Sequence, residues 1–190
     1  MTALETWQEP RPVKLTVEDF LHLTRSGALH SHGKTELIEG VIVAMNSQMA
    51  VHARIKSRLF RRIADAVDDA MPGYEAWTEA SIAIQPDNVP EPDILVTNFT
   101  RAERTFVPSE AVALVIEVSD TTARYDLGKK AAIYAAGAIP EYWVVDINAS
   151  VIHQLWSPTD GTYAERREVR LGDPVGAATL PDLQVATSGL

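Results

Sequence analysis

The spacing of apolar and polar positions changes several times along the chain, and each change marks an element. Leu15-Thr16-Val17-Glu18-Asp19-Phe20-Leu21 predicts a helix start, with Thr16 as the N-cap and Asp19 at the third helical position. Gly27 to Gly33 predicts a turn region. Thr35 to Met45 (TELIEGVIVAM) is rich in β-branched residues around Glu39-Gly40, which predicts a hairpin. Asn46-Ser47 offers capping side chains for a long helix that stops at Met71-Pro72-Gly73. On a 100° wheel Val51, Ile55, Leu59, Ile63, Ala66 and Val67 form one apolar arc, with Arg54, Arg58 and Arg61 opposite it.

Three strands follow, at about Glu75 to Gln85, Asp93 to Thr97 and Val112 to Ser119. The Pro, Asp and Asn content of Gln85 to Pro92 marks a turn between the first two. Asp126 to Gly137 predicts a shorter helix. Glu141 to Asp146 predicts a strand that turns at Asn148-Ala149-Ser150 into Val151 to Trp156. Tyr163 to Leu171 predicts one more strand, after which the tail loosens. Hairpin, helix, strands, helix and strands in that order indicate an α/β or mixed α+β fold, a sheet with helices packed on it.

The length of 190 residues suits one core better than two, which gives an arm over 1–14 and a single domain over 15–185. Lys plus Arg total 17 and Asp plus Glu 26, for a formal charge of −9. That charge opposes bulk electrostatic coating of nucleic acid but leaves room for a local basic patch. With no cysteine in the chain, thiolate metal sites, disulfides and cysteine nucleophiles are excluded. The acidic, proline-broken N-terminus lacks the pattern of a signal peptide, and no apolar run reaches membrane-spanning length. A cytoplasmic protein with no membrane association is the expectation.

Glu117 interrupts the apolar run AVALVIEVS, whose pattern otherwise fits a strand buried on both faces. A carboxylate there needs a cation, a proton or water, unless the strand end simply emerges into solvent. Asp93 opens the strand before it; by itself Pro92-Asp93 reads as a turn. If the two strands are neighbours, both carboxylates can converge on one hard cation such as Mg²⁺. On the wheel of the following helix Lys130 lies inside the apolar stripe between Ile133 and Tyr134, and Lys129 falls at its edge. An inward lysine either snorkels to the rim or meets an acid, and Glu117 is such an acid.

Pro92-Asp93, Val115-Ile116-Glu117-Val118-Ser119, the Asp126-Lys130-Tyr134 spacing and GAIPEYWVVD together resemble the Uma-two family of restriction-endonuclease-like proteins, part of the PD-(D/E)XK phosphodiesterase superfamily. TELIEG and VHARIKSRL are similar to it too, so the resemblance spans roughly Leu15 to Leu183. It implies a restriction-endonuclease-like core: a central mixed sheet flanked by helices, with added N-terminal and C-terminal β-hairpins. It further implies that Asp93 and Glu117 are catalytic metal ligands, with the carbonyl of Val118 as a third. The superfamily's lysine two residues after the acid is here Ser119. By its spacing to Tyr134, Lys130 matches the lysine that the family carries on the following helix.

The activity so implied is that of an endonuclease, a hydrolase of phosphodiester bonds, using Mg²⁺ with Mn²⁺ as a substitute and DNA as the nucleic-acid substrate. A homodimer is the expected assembly. The alternative is a catalytically silent homodimeric scaffold or binding protein that retains the nuclease fold; a metal-free carboxylate-pair hydrolase is a third reading. Glu36 in the first hairpin is a further candidate carboxylate, against the commoner solvated hairpin acid. His52, on the apolar arc one turn before Lys56, is a candidate for the site or a packing residue. The face of Arg54, Arg58 and Arg61 is a candidate for phosphate binding or an ordinary solvated face. His30 and His32 lack a third ligand, and a metal role is not expected of them.

Overall fold

Thr16 caps the first helix in the computed structural model of the chain, which describes residues 11–100 and 104–190. Its side chain accepts from the Asp19 amide, and the Asp19 carboxylate accepts from the Thr16 amide, so α1 (Val17–Ser26) opens on a capping box. The expected arm lies outside the described residues over 1–10. Its last four residues are exposed, yet Lys14 donates to the carbonyl of Glu39 at 2.6 Å, and the amide of Leu15 to that of Gly40. Gly40 has φ +74, and a Cβ there would stand 2.8 Å from that of Lys14, so the hairpin turn accepts only glycine without rearrangement.

The hairpin pairs β1 (Thr35–Ile38) with β2 (Val41–Ala44). Helix α2 (Ala50–Ala70) begins after Met49, whose side chain makes no cap. The N-cap therefore lies two residues past the expected Asn46-Ser47, at the end of an irregular segment over 45–49 from which Gln48 reaches Asp93. The buried stripe of α2 is His52, Ile55, Leu59, Ile63 and Val67; Val51 is exposed and His52 takes its place. The strand expected over 75–85 is two strands, β3 (Glu75–Thr78) and β4 (Ile82–Ala83), broken where Glu79 adopts φ +53.

Three more strands follow: β5 (Ile94–Thr97), β6 (Val107–Pro108) and β7 (Val112–Ser119). A helical stretch then returns the chain: α3 (Ala123–Tyr125), a π-helical turn (Asp126–Lys130) and α4 (Ala131–Ala136). It leads to β8 (Glu141–Asp146), β9 (Val151–Thr159) and β10 (Thr162–Arg170), and finally to the short pair β11 (Val175–Gly176) and β12 (Gln184–Val185).

The central sheet is mixed, in the order β10-β9-β8-β7-β5-β3; only β7 and β8 run parallel, joined by the helical stretch between them. Alternation along β7 sends Leu114, Ile116 and Val118 to the layer of α2, and Val115 to the layer of α4, where Tyr134 and Tyr142 pack. The tail does not loosen. Val175, Ala177, Leu183 and Val185 complete the α2 side of the core. A fully buried Glu141 fixes this return, its carboxylate accepting from the amides of Ala178 at 2.9 Å and Thr179 at 2.7 Å. No described helix is long and apolar enough to cross a membrane.

Candidate active site

Strands β5 and β7 are antiparallel with Ile94 opposite Ile116, so one further step of the register sets Asp93 opposite Glu117. Both carboxylates are buried, and the amide of Asp93 donates to Glu117 Oε2 at 3.4 Å. The other oxygen of Glu117 is tightly held. Lys130 Nζ and Tyr134 Oη each donate to Oε1 at 2.8 Å. The i, i+4 spacing of Lys130 and Tyr134 places both on the face of α4 that covers β7.

The π-helical turn sets this phase. The amide of Ala131 donates back to the carbonyl of Asp126, one residue wider than an α-helical bond, and Asp126 itself is buried. Ser119 and Thr122 donate to Asp126 Oδ2, both at 2.6 Å. Ser119, two residues after Glu117, thus anchors the turn that delivers Lys130. Lys129 turns outward to Glu39, and Lys130 turns inward.

Lys130 also reaches Glu36, donating to Oε1 at 3.1 Å, where the amide of Glu91 donates as well. Glu36 is fully buried, so the solvated reading of this hairpin acid does not hold, and its Oε2 has no hydrogen-bond partner.

Asp93 is held from several sides. His52 Nε2 lies 3.0 Å from Oδ2, which also accepts from the Val118 amide at 2.9 Å, and Gln48 donates to Oδ1 at 3.0 Å. Lys56 Nζ stands 3.5 Å from Oδ1, donating meanwhile to Gln48 Oε1 at 2.7 Å and Glu79 Oε1 at 2.8 Å. Gln48 and Glu79 carried no sequence signal, and Lys56 none beyond its place in VHARIKSRL. Their grouping depends on the break in the first central strand and the late start of α2.

Burial is the largest influence on Glu117 and pushes its carboxyl up to about 7; Lys130 pulls the other way, while Asp93, Asp126 and Glu36 reinforce the rise. Burial also works against the charged Lys130, but Glu117 and Glu36 outweigh it and hold the ammonium above the ordinary lysine value. Desolvation likewise opposes the charged forms of His52 and Asp93. Their mutual hydrogen bond and attraction win, so His52 lies above its ordinary value and Asp93 below its own. Lys56 holds the carboxyl of Glu79 down.

Arg54, Arg58 and Arg61 do not join this cluster. They follow His52 by two, six and nine residues, about 200°, 240° and 180° around the helix. Arg58 instead donates to the carbonyl of Gly189 at 2.6 Å, and its neighbour Arg62 to those of Ala186 and Ser188. His30 and His32 form an exposed 3₁₀ turn.

Among the described residues no group of three or more His, Asp or Glu side chains stands at metal-binding spacing. The donor set nonetheless fits a hard cation of the kind satisfied by one or two carboxylates and water. Glu117 Oε2 has only its 3.4 Å contact, Glu36 Oε2 has none, and both belong to buried carboxylates.

A mixed sheet flanked by helices, with carboxylates from two neighbouring strands at one end, defines a restriction-endonuclease-like fold. The chain belongs to the Uma2 family, described as "Putative restriction endonuclease", which it matches over residues 17–188. Its structure is similar to that of a protein from Anabaena variabilis described as "a putative nuclease belonging to DUF820". The TM-score is 0.67 at 18% identity, covering 93% of this chain and 96% of that one, a likeness of fold. No curated protein matches the chain.

Proposed function

We propose that the protein is a Mg²⁺-dependent endonuclease that hydrolyses phosphodiester bonds of DNA, with Asp93, Glu117 and Lys130 as its catalytic residues. The observation that supports this most strongly is the meeting of Asp93 and Glu117 across β5 and β7 with Lys130 on the second of them. Membership of the family points to the same class of reaction.

Asp93, Glu117 and the carbonyl of Val118 would hold the cation. The chemistry a bound divalent ion supplies is polarisation of the phosphodiester and a lowered pKa for the attacking water. The chain's own residues do the rest. Lys130 and Tyr134 fix Oε1 of Glu117 and leave Oε2 to face the site. His52, Gln48 and the Val118 amide fix the orientation of Asp93. Lys130 has three hydrogens, and its contacts with Glu36 and Glu117 engage two; the third is available to orient water and to offset charge developing on the phosphoryl oxygens. Its carboxylate neighbours favour the protonated form, which suits a donor and an electrostatic partner.

The test is cleavage of supercoiled plasmid and labelled oligonucleotides in Mg²⁺ or Mn²⁺, with EDTA and Glu117→Gln as controls. Cleavage that EDTA and Glu117→Gln both abolish is the expected result. Cleavage that survives either would sink the proposal.

A further inference from the structure

With the arginines of α2 turned away from the site, Lys56 is the lysine of that helix that stands beside it, next to His52. Lys56 follows His52 by one turn, and only 12% of its side chain is exposed. Its ammonium donates to Gln48 Oε1 and Glu79 Oε1 and rests 3.5 Å from Asp93 Oδ1, beyond a good hydrogen bond. It is therefore a preplaced cation at the outer edge of the carboxylate cluster.

Its nearest carboxylate is the replaceable partner. Glu79 has a side chain 49% exposed and sits at φ +53, a left-handed backbone that disfavours residues with a Cβ. This strained residue divides β3 from β4 and turns its carboxylate onto Lys56. Strain maintained at the rim of a polar cluster calls for an explanation in function. A half-exposed ion pair contributes little to stability, so another oxyanion can replace Glu79 while the freed carboxylate returns to water.

We propose that Lys56 binds a phosphate of the nucleic-acid substrate beside Asp93, and that Glu79 is a placeholder that holds the ammonium there until the phosphate displaces it. This inference rests on the nuclease reading and adds to it a substrate contact, Lys56, and a competitor, Glu79.

Fluorescence anisotropy of labelled single-stranded and duplex oligonucleotides in EDTA separates binding from cleavage. The proteins are the wild type, Lys56→Met, Lys56→Arg and Glu79→Gln, each checked for an unchanged melting temperature. Lys56→Met should weaken binding by roughly tenfold, the size of one lost charge-assisted hydrogen bond. It should also flatten the slope of log K against log salt by about 0.7 to 0.9. Lys56→Arg should retain binding, and Glu79→Gln should tighten it. If the wild type binds and Lys56→Met binds equally well, the inference is wrong and the nuclease reading stands. Unchanged binding in Glu79→Gln removes the placeholder role. If neither the wild type nor Glu79→Gln binds any oligonucleotide, the inference fails, and cleavage in Mg²⁺ decides the reading beneath it.

Discussion

Replacing Lys130 by methionine tests the electrostatic centre of the site directly, because methionine keeps most of the volume and removes only the charge. The ammonium is buried and bonded to Glu36 at 3.1 Å and Glu117 at 2.8 Å, so its loss leaves two buried carboxylates facing each other without a cation. Breaking a buried pair in this way typically costs about 3–5 kcal/mol. For a domain of this size that is a fall of about 10 °C in melting temperature.

The loss should depend on pH in a definite direction. Lys130 lies above its ordinary 10.5, so its own titration adds no pH dependence between about pH 5 and about pH 9, and any variation there comes from its carboxylate partners. The Glu117 carboxyl is already raised to about 7 against an ordinary 4.5. A raised carboxyl favours folding while protonated and loses that contribution as pH rises through its folded value; without Lys130 that value moves higher still. The deficit of Lys130→Met should therefore be smallest near pH 5 and grow as pH rises past about 7. Urea denaturation in EDTA across that range measures it. Adding Glu36→Gln and Glu117→Gln to Lys130→Met should recover most of the stability at pH 8, since no charge then remains unpaired. A deficit below about 1 kcal/mol, or one equal at every pH, would refute Lys130 as the buried counter-charge.

Two other perturbations probe the groups around this centre. Glu141→Ala strips acceptors from Trp143 Nε1, the Ala178 and Thr179 amides and the Thr179 hydroxyl. With these donors stranded, it should cost at least about 3 kcal/mol in urea denaturation, and a cost below about 1 kcal/mol would contradict its role in fixing the tail. His52→Phe removes the partner of Asp93. Asp93 lies below its ordinary 3.8, a contribution present above that value and lost in stronger acid; His52 lies above its ordinary 6.5, a contribution present below that value and lost in alkali. The melting deficit of His52→Phe should thus peak near pH 5, and a deficit that grows towards pH 9 would rule out the ion pair.

What was legible in the sequence was local. Thr16 and Asp19 cap α1 because both halves of a capping box lie within four residues. The turn at Glu39-Gly40, the interruption of β7 by Glu117 and the stripe holding Lys130 and Tyr134 are likewise periodic signals, and each corresponds to an observed element or contact. Lys130 is the last residue of the π-helical turn, so the residues that carry the chain from it to Tyr134 are α-helical and the inward wheel position holds. The start of α2 was misplaced because Gln48 is drawn onto Asp93, a contact 45 residues distant that outweighs the local capping preference of Asn46-Ser47. The break at Glu79 and the return of the tail onto Glu141 have similar causes. Each depends on partners far along the chain, and hydrophobic periodicity carries no record of them.

The central claim is that Asp93 and Glu117 form one site for a divalent cation. Titration of Mn²⁺ into the purified protein by calorimetry, beside Asp93→Asn, tests it without requiring a substrate. The account predicts binding by the wild type at one or two sites and its loss in Asp93→Asn. Binding that persists unchanged in Asp93→Asn, or no binding by the wild type, would contradict it.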